Sequence, residues 1–68
     1  MKMQDIIDLK NNIPFNSFKV TLSSGVSFSV LHPDFLFIVP SRKDMFIIST
    51  IEGRWNIVDI NSITSINV

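Results

Sequence analysis

His32 is the only histidine of the chain, and Asp34 stands two residues beyond it across Pro33. An imidazole with a carboxylate in reach is the smallest set that general acid–base chemistry needs, and covalent catalysis adds a nucleophile. Ser23-Ser24-Gly25 does not supply one, because it lacks the G-x-S-x-G frame and the strand-to-helix setting of a nucleophile elbow. Gly25 and Gly53 are the only glycines, too few for a loop that cradles phosphate. Cysteine is absent, and no glutamate or second histidine stands at ligand spacing from His32, so a zinc site has nothing to build on. His32 and Asp34 therefore read as a turn in which the ring bonds nearby backbone. No enzyme, cofactor or metal is expected. Arg54-Trp55 follows the Gly53 turn, and both residue types are favoured anchors of interfaces, although Trp55 at the start of a strand would serve a core equally well. Arg54, Trp55, His32 and Asp34 are the candidate interaction residues. Arg42-Lys43-Asp44 is most simply a solvated hairpin tip.

The elements that must position these residues are mostly strands. Ile, Val and Thr supply 20 of the 68 residues, Phe adds six, and alanine is absent. Branched and aromatic side chains suit a pleated, packed surface, whereas alanine is the best helix former. Residues 2–12 are the exception. Met3, Ile6, Ile7 and Leu9 fall on one helical face, with Asp5 and Asp8 towards the start and Lys10 near the end, as the helix dipole prefers. Asn11-Asn12 is the exit, and Pro14 biases Ile13 to an extended conformation. So short a helix is not stable alone and must dock its apolar stripe.

Residues 17–68 carry the sheet. Phe18, Val20 and Leu22 alternate with polar residues, Ser23-Ser24-Gly25 turns the chain, and Val26, Phe28 and Val30 alternate on the way back. This is a hairpin with three apolar residues from each strand on one face and Gly25 at positive φ. His32-Pro33-Asp34 breaks the alternation. Residues 35–39 and 45–48 are then apolar on both faces, Glu52-Gly53 turns, 60–63 is a short connector with one 3₁₀ turn, and 64–68 is a last strand. No internal repeat or linker is visible, so residues 1–68 read as one domain.

Strands apolar on both faces need two covers. One helix covers one side, and the second cover must be the sheet curled over itself or another copy of the protein. The expected fold is therefore mainly β: a short N-terminal helix, then a five- to six-stranded, strongly bent antiparallel sheet or small barrel. An open strand edge and limited burial in so short a chain favour a homo-oligomer. Were 35–39 and 45–48 helical, or open to solvent on one side with no neighbour, barrel and assembly would lose their basis. The longest wholly apolar run, residues 35–39, is far short of a membrane span, and Asp5 and Asp8 interrupt any secretory leader, so a cytoplasmic protein is expected.

The order of elements resembles the Sm-like, SH3-like small barrel. Residues 18–25 look like its first strand and glycine turn, 26–40 like its long second strand bent near His32-Pro33, and 54–68 like its fourth strand, one-turn helix and fifth strand. More closely, Pro14-Phe15, Phe18, Leu22, Gly25, Phe28, Val30, His32-Pro33-Asp34-Phe35, Ile57-Val58-Asp59-Ile60 and Ile63-Thr64-Ser65-Ile66 are similar to a family of small uncharacterised bacterial proteins encoded as stand-alone genes. That family has no established activity to carry over. The Sm-like resemblance implies RNA as an alternative partner, but its RNA-chaperone branch would place a Lys-His pair where Val58-Asp59-Ile60 stands, and an acidic residue there repels phosphate. Lys19, Arg42, Lys43 and Arg54 are scattered and the net charge is zero, so RNA is disfavoured. The expected role is a non-catalytic, self-associating protein-interaction or structural module.

Overall fold

Residues 1–68, all described by the computed structural model, form one helix followed by six short antiparallel strands. Helix α1 spans Met3–Asn11. Its start is closed by Asp5, whose carboxylate accepts the Lys2 backbone N–H at 2.9 Å. Met3 and Ile6 are buried, with Ile7 and Leu9 packed against the core beside them. At the other end, the Lys10 ammonium donates to the carbonyls of Pro33 and Leu36, which ties the helix to the sheet. No helix is long and apolar enough to cross a membrane.

The strands are β1 (Phe18–Leu22), β2 (Ser27–Val30), β3 (Leu36–Ile38), β4 (Met45–Ser49), β5 (Trp55–Asp59) and β6 (Ile63–Asn67). They form two three-stranded sheets, ordered β2-β1-β6 and β3-β4-β5. The expected mainly β architecture is present, but as two ladders and not as one continuous ring of hydrogen bonds. The long strand expected over 26–40 is also two strands. A 3₁₀ turn over Pro33–Phe35 separates β2 from β3 and sends the chain from one sheet to the other. Proline removes a ladder donor there, and the turn satisfies the backbone locally.

The two sheets are built alike. Each begins with a hairpin whose loop ends in a glycine at positive φ: Gly25 at 89° and Gly53 at 85°. In the first loop the Gly25 N–H donates to Leu22 at 2.9 Å and the Leu22 N–H to Val26 at 2.8 Å. In the second, the Gly53 N–H donates to Thr50 at 2.9 Å and the Thr50 N–H to Arg54 at 2.9 Å. This three-residue loop needs a left-handed residue at its last position, which glycine supplies without steric cost.

Each hairpin then runs into a 3₁₀ corner, Pro33–Phe35 or Ile60–Ser62, and hands its third strand to the other sheet. The expectation of no internal repeat is thus corrected. The inward residues repeat at one constant spacing, Phe18 with Phe46, Val20 with Ile48, and Val30 with Val58, and all six are buried. The repeat is hidden in the sequence because the outward residues do not follow it.

These pairs, with Met3, Ile6, Leu36 and Ile60, make the core. Val26 is not part of it. It lies in the loop before β2, half exposed, so β2 sends in only Phe28 and Val30.

Candidate functional site

The outer faces of the two sheets differ in kind. Across the first, Ser29 pairs with Lys19 and Lys19 with Asn67, and the next row is Ser27, Thr21 and Ser65. All six are polar, and the Thr21 and Ser27 hydroxyls are hydrogen-bonded at 3.0 Å. Across the second sheet, the row matching Ser29, Lys19 and Asn67 is Ile57, Ile47 and Phe37. Trp55 stands opposite Ser49 in the next row, and this small central residue lets the indole reach Phe37. The two rings stack with centroids 5.7 Å apart and planes 23° apart. Their exposures decide the reading: Trp55 is 69% exposed, Ile57 72% and Phe37 42%.

The sequence left Trp55 between core and interface, and it is not core. These residues form one contiguous apolar surface, unlike the scattered exposed apolar residues that any surface carries. The strands expected to be apolar on both faces therefore have one face on the core and the other in solvent within the single chain, so the sheet does not supply the second cover for which a barrel was expected. Helix α1 packs on the core, so the outer face has no cover from the chain itself.

Charge is placed at the ends of β5. Arg54 precedes the strand and approaches only Glu52, at 4.0 Å between two highly exposed side chains. Such a pair contributes little. Asp59 ends the strand on the outer face, and one of its oxygens accepts the Asn61 N–H at 2.8 Å, capping the second corner. It forms no ion pair.

The other candidates lie elsewhere. The His32 Nδ1 accepts the Asp34 N–H at 3.1 Å and so caps the first corner as Asp59 caps the second. A nitrogen that accepts this bond carries no proton, so the 3.5 Å approach of the Asp34 carboxylate to the same atom is not an ion pair in that state. His32 and Asp34 are exposed, and no hydrogen bond or ion pair joins them to Arg54 or Trp55. The four residues are two separate places, not one site.

At the tip between β3 and β4, Arg42 grips Asp44 through two bonds of 2.8 Å. That hydrogen bonding holds the Asp44 carboxyl below its ordinary value and raises Arg42, with their opposite charges adding to both shifts. The largest cleft, about 560 Å³, lies between this tip and the start of α1. Met3, Ile7, Ile38 and Ile60 line it together with Lys2, Lys43 and the Arg42–Asp44 pair. No three metal-ligating side chains gather anywhere in the chain.

Phe37 and Ile57 are the exposed members of this apolar row that the sequence reading did not single out. A usable signal was present: in β5, Trp55 and Ile57 share their side of the strand with the unpaired charge of Asp59, so that side faces water. No family model, curated protein or solved structure matches this chain.

Proposed function

We propose that the protein is a non-catalytic interaction module that works as a self-associated unit, joined through the outer face of β3-β4-β5. The observation that carries this reading is the Ile57–Ile47–Phe37 row with Trp55 stacked on Phe37, at places where the otherwise equivalent sheet has serine, lysine and asparagine. The non-catalytic part rests on His32, whose Nδ1 accepts the Asp34 N–H and so holds a corner together. Zero net charge supports self-association, since two copies meet without mutual repulsion.

Light scattering over a dilution series tests the reading. The intact chain is expected as a dimer or larger assembly that loosens on dilution. Ile57→Lys is expected to give monomer, and Ser29→Lys, at the matching place of the polar sheet, is expected to leave the mass unchanged. A monomer at every concentration, with the fold intact, would reject it.

RNA is the second reading, favoured by the exposed Phe37–Trp55 ring pair. The two rings already cover one face of each other, and Glu52 and Asp59 flank them with the wrong sign for phosphate. A gel shift with adenine- and pyrimidine-rich oligonucleotides over a salt range decides it. Binding that weakens with salt would favour RNA over the first reading.

A further inference from the structure

We infer that the cleft between the start of α1 and the tip joining β3 to β4 binds an aliphatic carboxylate, with its tail inward and its head at the rim. The site is separate from the apolar outer face of β3-β4-β5 and does not depend on self-association.

The floor of the cleft is one end of the core. Met3 and Ile60 belong to the buried cluster and also line the cleft, and Ile7 and Ile38, both half-buried, flank them. Along β3, Ile38 shares the side of the buried Leu36, opposite Phe37, so the cleft opens from the inner layer. No buried polar side chain stands among these four, and a hydrocarbon tail laid on them extends the core. The volume, about 560 Å³, lies within the range of roughly 300–1,000 Å³ usual for small-ligand sites.

Charge selects the head group. The chain has six basic and six acidic side chains, yet three of the basic ones and only one acidic line this cleft. Arg42 and Asp44 offset each other through their two bonds of 2.8 Å. That leaves Lys2 on one wall and Lys43 on the other, and neither takes part in an ion pair. An anion at the rim gains from both ammonium groups, a cation is repelled by them, and a neutral head gains no charge attraction. The apolar floor and the cationic rim together therefore fit a molecule that carries one anionic group on an aliphatic chain.

The test is an amide chemical-shift titration of the full chain with octanoate, and with octanol as a probe of the same tail and a neutral head. Octanoate is expected to move the amides of Ile38, Lys43 and Ile60, to leave those of Lys19 and Thr21 in place, and to bind about five-fold tighter than octanol. Each methylene added towards decanoate is expected to strengthen binding, by up to about four-fold where it is fully buried. Lys2 and Lys43 are exposed, so the double variant Lys2→Gln, Lys43→Gln should keep the fold. It is expected to weaken octanoate about five-fold, to the level of octanol, and to leave octanol unchanged. Any of three results would overturn the inference: no shifts in the cleft at millimolar octanoate, shifts confined to Phe37 and Trp55, or octanoate affinity unchanged in the double variant.

Discussion

Ser29, Lys19 and Asn67 cross one sheet as a row, and Ile57, Ile47 and Phe37 cross the other at the matching places. The hairpin loops, the glycines at positive φ, the capped corners and the buried Phe and Val positions repeat between the two halves. The backbone and the core thus place the same demands on both sheets. What differs is the surface, polar on one side and apolar on the other, although the backbone and the inward residues are alike. Exposed hydrophobic residues in one contiguous row tend to associate, and their confinement to one of two equivalent surfaces is what supports the proposed contact role.

The comparison breaks first at the core if the halves are not equivalent. Phe18→Ala and Phe46→Ala each remove a buried ring, and each is expected to cost about 3–5 kcal/mol in denaturant unfolding. A cost at only one of them would dissolve the repeat. The loops come next. Gly25→Val and Gly53→Val force a β-branched residue to positive φ, and each is expected to destabilise by about 1–3 kcal/mol. An unchanged melting midpoint for either would contradict its turn.

The corners sharpen the comparison by their difference. The first leans on the helix through Lys10, whereas the second is held by backbone bonds, Ser23 N–H to Ser62 at 2.7 Å and Ile60 N–H to Asp44 at 2.8 Å. Lys10→Met is expected to cost about 1–2 kcal/mol and to raise hydrogen exchange at Leu36 more than at Ile63. Equal exchange at the two corners would show that the helix does not hold the first.

The smallest effect is expected at the tip between the half-repeats. Asp44 titrates lower in the fold than in the unfolded chain, because of Arg42. Its contribution is therefore present above the ordinary carboxylate range and is lost as pH falls through the folded-state value. Asp44→Asn should remove that part of the acid dependence of the melting temperature. An unchanged acid profile would show that the exposed pair contributes nothing to stability.

Much of this was legible before the coordinates. The helix expected over 2–12 and found over 3–11, the Gly25 turn, and the connector expected over 60–63 and found as a 3₁₀ turn over 60–62 followed from apolar spacing and breakers, since these signals are local. The direction of the two-faced strands was not. Leu36 and Phe37 are equally apolar, yet one is buried and the other 42% exposed, and nothing in an unbroken apolar run says which side is inward. The split at Pro33–Phe35 was read as a bend because a proline break does not by itself tell a kinked strand from a change of sheet. The repeat escaped because a comparison of residue types weighs Lys19 against Ile47 as heavily as Phe18 against Phe46, although only the second pair answers to the fold.

The most direct measurement of the central claim is the solution mass of the intact chain beside its Ile57→Lys and Ser29→Lys variants, with circular dichroism confirming that all three are folded. The account predicts association for the wild type and Ser29→Lys, and a monomer for Ile57→Lys. Three identical masses would contradict it.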